Sequence, residues 1–153
     1  MKHLSNAFKA VVVATLTCAA GLAAAADSQT LGVTASVTAT CKFSATNTSL
    51  AFGAIDPSLT ADKVVTANVL YKCSKGTPST GVTASGGTSR SMTGPSSDTM
   101  AYTLGFSGDT QTGKGFGSGQ DLTLVVTGTI TAAAYQNASA GAYSENVTLN
   151  ITP

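Results

Sequence analysis

Apolar and polar residues alternate along much of the chain with a period of two. The pattern is clearest from residue 30 to residue 41, TLGVTASVTATC, where small or medium apolar side chains occupy the odd positions. Glycine, serine or threonine occupies every even position. This period is that of a β-strand with one buried face. The apolar face of this terminal strand consists of Leu31, Val33, Ala35, Val37 and Ala39.

The same alternation recurs in short segments between turn-forming residues. It predicts strands near residues 50–52, 64–73, 81–85, 100–106, 122–130 and 143–151. Val64 and Leu70 add apolar groups to the second face of their strand, which predicts that it is covered on both sides. No segment after residue 26 has a convincing helical period. Six or seven strands at this spacing predict an all-β sandwich.

The first 26 residues have the pattern of an export signal. Lys2 and Lys9 give a positive start, a small apolar stretch follows, and the alanines at 24–26 form a cleavage pattern. A membrane anchor is the alternative, but the apolar run is short and rich in alanine. Lipid attachment at Cys18 is a second alternative. We expect a signal peptide at 1–26, an extension at 27–40 and one domain at 41–153.

Charge and residue inventory exclude several functions. Residues 27–153 carry six lysine or arginine and seven acidic side chains, without a basic cluster. Binding to nucleic acid or to an anionic membrane is therefore not expected. The single histidine, His3, is removed with the signal. Without histidine, the usual serine, cysteine and zinc hydrolase sites cannot be built. No catalytic residue, cofactor, metal site or small-molecule substrate is predicted.

Two cysteines, Cys41 and Cys73, remain after cleavage of the signal. An even number of cysteines in an exported chain favours a disulfide, and two free buried thiols are the alternative. With two thiols and no neighbouring histidine, a metal site is not expected.

Both ends of the chain are predicted strands, and an immunoglobulin-like sandwich in this order has room for one more strand after the last. A missing strand would expose apolar side chains beside two unpaired backbone edges. The terminal strand at 31–40 is surplus. If it fills the groove of a neighbouring copy, a linear polymer follows, because a head-to-tail contact need not close.

Short motifs recur in a fixed order along the whole chain after the signal. The alternating strand before the first cysteine is followed by LAFG at 50–53, DP at 56–57, VLYKCSKG at 69–76, RSM at 90–92, MAYTLGF at 100–106, TGTI at 127–130 and AGAYSENVTL at 140–149. In this order and spacing, the motifs resemble those of the spore coat protein U family, which includes subunits of archaic chaperone–usher pili.

The resemblance implies an incomplete immunoglobulin-like β-sandwich completed by donor-strand exchange. It also implies a periplasmic chaperone, an outer-membrane usher and neighbouring pilin subunits as partners. Carried over, the five apolar residues at 31–39 are the donor strand, and Cys41–Cys73 is the bridge. Many members have an acidic residue where Asn146 lies and an aromatic at the end, where this chain has Thr152-Pro153.

The remaining motifs have ordinary interpretations. Residues 108–115, GDTQTGKG, nearly match a phosphate-binding loop, but glycine replaces the magnesium-binding hydroxyl and no helix pattern follows. We expect a surface hairpin loop there. Asp98, Asp109 and Asp121 match no calcium-loop spacing and are expected in solvated turns. Tyr102 and Tyr143 are expected in the core or at a corner.

The function expected first is a structural subunit of a surface pilus, exported through the periplasm and supporting adhesion and biofilm formation. The alternative is a self-complemented secreted spore-coat or matrix protein of the same fold. A tip adhesin is less expected, because residues 27–153 leave no space for a second binding domain. An enzyme is the least expected class.

Overall fold

Strands form nearly all the regular structure of the described chain. The computed structural model describes residues 26–153, which fall into two units, 26–35 and 36–153. The second unit has one α-helix, α1 (Ala132–Gln136), and a short 3-10 turn at Pro95–Ser97. Its strands are β1 (Cys41–Phe43), β2 (Lys63–Cys73), β3 (Gly81–Ala84), β4 (Ser89–Thr93), β5 (Thr99–Ser107), β6 (Leu122–Ile130) and β7 (Leu149–Thr152). The all-β prediction is confirmed.

The strands form two antiparallel sheets. Five strands pair in the order β1-β2-β6-β5-β4, and β3 pairs with β7. The register places Val69 opposite Leu124 in the large sheet and Val82 opposite Ile151 in the small one. All four side chains join a single core cluster. The arrangement is consistent with an incomplete immunoglobulin-like sandwich.

The core follows from the two-residue period of the strands. Along β6, every second residue from Leu122 to Ile130, Gly128 included, is buried, while the residues between them are more exposed. Tyr71 on β2 is fully buried, and its hydroxyl donates to the Gly108 carbonyl at 2.9 Å. A buried phenol needs such a partner, because an unsatisfied polar group in an apolar core is costly.

Gly128 on β6 leaves space for two apolar side chains of residues 44–55, a segment that crosses over the large sheet. A Cβ at this position would lie 2.7 Å from Leu50 Cδ2 and 2.8 Å from Phe52 Cζ. Phe52 also packs edge-on against Tyr102 on β5, with ring centroids 6.0 Å apart. The missing side chain therefore lets this segment sit directly on the sheet.

Several predicted elements differ from those observed. No strand forms at 31–40 or at 50–52, and the last predicted strand is reduced to β7. These stretches have the strand period, but a strand also needs a partner with which to pair. Val64 and Leu70 are exposed, so the prediction that their strand is covered on both sides was wrong. The strands β1 and β4 were missed because β1, CKF, has only three residues and β4, SRSMT, has a single apolar residue, so neither shows an alternation.

The helix α1 was also missed. Its five residues, AAAYQ, are too few to produce a helical period in the sequence. Tertiary contacts stabilise this helix. Asp62 accepts a hydrogen bond from the Ala132 amide at 2.9 Å. The buried Tyr135 donates to the Ala61 carbonyl at 2.6 Å.

The expected signal peptide at 1–26 lies outside the described residues, apart from Ala26, and so do its two alternatives, a membrane anchor and lipid attachment at Cys18. Within residues 26–153, no helix combines the length and the apolar character needed to cross a bilayer.

Candidate partner-binding groove

A groove of about 810 Å³ opens between two segments of the second unit that lie outside the strands. We call residues 45–52 the N-terminal wall and residues 145–148 the C-terminal wall. Apolar side chains of the large sheet form the floor between them: Ala67, Val69, Met92, Tyr102, Leu104 and Val126. These floor residues come from β2, β4, β5 and β6, so a rigid sheet sets their spacing.

Both walls lie outside the strands and have no backbone partner along most of their length. Within residues 26–153, the backbone of 45–55 and of 145–147 makes no backbone–backbone hydrogen bond. Elsewhere in the same part of the chain, seven strands and several turns satisfy such groups. Unpaired extended edges are templates for another strand. The groove therefore has an apolar floor and hydrogen-bonding groups on both sides.

The residues just before the N-terminal wall are held in place by a disulfide and by hydrogen bonds. Cys41 and Cys73 form a disulfide with Cα atoms 4.1 Å apart, which confirms the predicted bridge. Next to it, the Thr40 amide donates to Ser74 Oγ at 3.2 Å, and the Ser74 amide donates to the Thr40 carbonyl at 2.9 Å. Ser74 Oγ also donates to the Thr38 carbonyl at 3.2 Å. Residues 38–43 are thereby held against the end of β2.

A charged cluster holds the start of the C-terminal wall. Glu145 Oε1 accepts a hydrogen bond from Arg90 Nε at 3.0 Å and forms an ion pair with Nη2 of the same guanidinium. Its other oxygen, Oε2, accepts from the Tyr102 hydroxyl at 2.8 Å. The Arg90 and Glu145 side chains are only 11% and 20% exposed. This pair is shielded more than an ordinary surface ion pair, so salt screens it less.

The cluster shifts the pKa of each member. Hydrogen bonding to Arg90 lowers the pKa of Glu145, and the same contact raises the pKa of Arg90. Burial, together with the neighbouring Glu145 carboxylate, raises the pKa of Tyr102 to about 12. At neutral pH the cluster therefore consists of a carboxylate, a guanidinium and a neutral phenol.

A second acidic contact fixes the chain just before the C-terminal wall. Asp98 accepts hydrogen bonds from the Ser139 amide and from the Tyr143 hydroxyl, each at 2.8 Å. These bonds, led by the one from Ser139, lower the pKa of Asp98 to about 2. The Tyr143 ring lies over Gly94, where a Cβ would be 2.2 Å from the ring. The Ser144 amide and carbonyl then pair with Thr93 at 3.1 Å.

The family model of the spore coat protein U domain matches residues 27–150. The chain belongs to this family. Spore coat protein U domains are structural components of pili and coats at the cell surface, and their pilin members contact other pilin subunits. No curated protein matches the chain, and neither does any solved structure.

The predicted donor residues of this spore coat protein U domain are exposed. Leu31 and Val33 are 84% and 83% exposed in the first unit, and Val37 is 90% exposed in the second. Ala35 and Ala39 are exposed as well. None of the five lies in a strand. Their assignment as a donor strand therefore stays a prediction.

Other predicted positions have structural contacts. Residues 108–115 form part of the loop between β5 and β6, and a strand rather than a helix follows, as expected. Asp109 lies near Val82, and Asp121 pairs with Lys72 at 3.6 Å. Within the described residues, no three histidine, cysteine or acidic side chains come close enough to hold a metal ion. Tyr102 is buried in the core, as predicted.

Sequence reasoning missed Arg90 and Glu145 as site residues of this domain. Arg90 lies opposite Tyr102 in the β4–β5 register, and therefore on the core side of the sheet. Glu145 lies in phase with the partly buried Tyr143 and Val147. A lone arginine and a lone glutamate, each at an inward position of a strand pattern, are the signal that predicts such a pair.

Proposed function

We propose that the protein is a structural subunit of a surface pilus that polymerises by donor-strand exchange. Residues 31–39 of one copy would enter the groove of the next and pair with both walls. The observation that carries the proposal is the groove itself, an apolar floor between two segments whose backbone is largely unpaired. The same chain carries an exposed alternating stretch with the pattern of such an occupant.

The energetics favour this occupant. Leu31, Val33 and Val37 are almost fully exposed, and burial of such side chains is worth about 1.5–3 kcal/mol each. Main-chain hydrogen bonds to the walls would set the register, and alternate side chains would face the floor. Ala35 and Ala39 require only shallow pockets. The polar even positions would remain in contact with water.

The contacts that hold residues 38–43 against the end of β2 favour a donor strand from a second copy. Thr40 is bonded to Ser74, and residues 41–43 pair with β2. The tightest hairpin that keeps these bonds has its two-residue turn at 38–39. It would place Leu31 opposite Thr46 and Val33 opposite Ser44. Most of the apolar stretch would then miss the N-terminal wall, so the self-complemented coat or matrix protein is the weaker alternative.

The route of assembly follows from the same surface. An empty groove with unpaired edges is prone to aggregate, so a subunit exported by the signal at 1–26 needs protection before it polymerises. A periplasmic chaperone and an outer-membrane usher would supply this protection and the site of assembly. The fibre would lie at the cell surface, where it would support adhesion and biofilm formation.

The substitution Val37→Asp tests the proposal. A carboxylate at an inward donor position would have to be buried without a partner, which is strongly unfavourable. We expect secretion to continue and fibres to disappear in electron micrographs. The matched control is Ser36→Asp, which adds the same charge to the face that remains in water. Fibres of normal length from Val37→Asp, or equal loss of fibres in both variants, would contradict the proposed donor strand.

A further inference from the structure

Side chains, rather than backbone pairing, hold the C-terminal wall in place between its two ends. Ser144 pairs with Thr93 at one end, and the Thr148 carbonyl accepts from the Ser85 amide at the other. Between them, in the part of the chain that the structure describes, the only side-chain hydrogen bonds of residues 145–147 are those of Glu145. Glu145 therefore supplies the hydrogen bonds that tie this wall to the large sheet, beside the packing of Val147 against the core.

The two partners of Glu145 are held by the large sheet. Arg90 and Tyr102 lie directly opposite each other in the β4–β5 register. The guanidinium reaches one carboxylate oxygen and the phenol reaches the other, at 3.0 Å and 2.8 Å. Hydrogen bonds to charged groups are stronger than those between neutral groups, and contacts at both oxygens fix the orientation of the carboxylate. Glu145 is thus clamped from two strands.

The guanidinium is itself positioned by the turn between β3 and β4. Arg90 Nη1 donates to the Ser85 carbonyl, and the Gly87 carbonyl lies 3.5 Å from the same nitrogen. At Gly86 a Cβ would lie 2.9 Å from Nη1, and the φ of +86° favours glycine there. The turn therefore encloses the arginine side chain, which limits its freedom to leave Glu145.

We propose that Glu145 is a positioning residue that sets the C-terminal wall for donor-strand entry before the donor arrives. The inference rests on the proposed function, since it concerns the same groove. An extended wall presents its free amides and carbonyls in register, so an incoming strand does not have to order it. A pre-ordered wall speeds association because less conformational entropy is lost on binding.

The test measures binding rates on the full mature chain. The acceptor is the Val37→Asp chain, whose own donor is disabled, and the probe is a fluorescent synthetic peptide of residues 27–40. Adding Glu145→Gln should slow association about tenfold and change dissociation less than about twofold. Adding Tyr102→Phe, which keeps the ion pair, should slow association less. Adding Asp56→Asn, which removes an exposed turn carboxylate outside the groove, should change neither rate.

The outcomes separate this inference from the proposed function. Association by the Glu145→Gln chain at the rate of its parent would overturn the positioning role while leaving the donor strand intact. If Glu145→Gln prevents folding, an unchanged association rate in the Tyr102→Phe chain would overturn the positioning role instead. Failure of the peptide to bind the parent and the Asp56→Asn chain would contradict the proposed function itself. A purely structural role would lower the melting temperature without this selective effect on association.

Discussion

Gly113 shows how a single residue without a side chain permits a close contact in the loop between β5 and β6. A Cβ there would lie 2.3 Å from the Ser74 carbonyl oxygen and 2.6 Å from that of Cys73. The Gly113 amide also donates to the Thr77 carbonyl at 2.7 Å. Because these neighbours are backbone atoms, they cannot move aside as a flexible side chain can.

We therefore expect Gly113→Ala to lower the free energy of unfolding by about 1–3 kcal/mol. The control is Gly117→Ala in the same loop, where the nearest atom is Gln120 Cγ at an ordinary 3.7 Å. Its effect should stay within about 0.5 kcal/mol. Urea unfolding of both variants in the Val37→Asp background, whose own donor is disabled, measures the two effects without the contribution of assembly. Equal stability of the two variants would contradict a packing role for Gly113.

The lowered pKa of Asp98 predicts how the stability of the fold changes with pH in the acid range. Its pKa is about 2 in the folded protein, below the ordinary value of 3.8. A depressed pKa stabilises the fold above pH 3.8, and this contribution is lost as the pH falls toward 2. In thermal melts, Asp98→Asn should lower the melting temperature at pH 6 and flatten its fall between pH 4 and pH 2. Parallel pH profiles for the two proteins would rule out this role.

At the residue scale, the alternating pattern predicted which apolar residues are buried, but it did not predict which charged residues meet. Leu122 and Leu124 are in phase with their strand and are buried, as their pattern predicts. Arg90 and Glu145 lie 55 positions apart, and their meeting depends on the two chain segments that bring them together. Alternation identifies a face, but it gives no information about which distant side chain lies opposite.

At the element scale, the disulfide between Cys41 and Cys73 fixes the start of β1 against the end of β2. The cysteines are 32 positions apart, and closing a loop of this length contributes about 3–4 kcal/mol in chain-entropy models. Changing both cysteines to alanine should lower the free energy of unfolding by that amount, measured in urea. Dithiothreitol should have the same effect on the natural protein and none on the variant. A natural protein that is indifferent to reduction would contradict this prediction.

Elements whose partners lie within the chain were predictable, and those that lack a partner were not. The patterns of β2, β5 and β6 gave observed strands, because each pairs along most of its length with a neighbour. Residues 31–39 and 145–148 have similar periods but no ladder. The period of a sequence shows which face a strand would bury. A strand forms only where a neighbouring strand is also available to pair with its backbone.

At the scale of the whole molecule, the groove and the exposed extension have complementary chemistry. One offers an apolar floor with two unpaired edges, and the other offers alternating apolar side chains with a free backbone. Exposed apolar side chains and unpaired backbone edges are both unfavourable in water. A head-to-tail contact would satisfy both in every copy except those at the ends, and it would extend without closing.

Hydrogen exchange of the backbone amides tests this completion between copies most directly. Assembled natural protein and the Val37→Asp chain would be compared peptide by peptide under the same conditions. We predict slow exchange for residues 31–39, 45–52 and 145–148 in the assembled protein, and fast exchange for the same residues in the variant. Equal exchange of these three segments in both proteins would contradict strand donation between neighbouring copies.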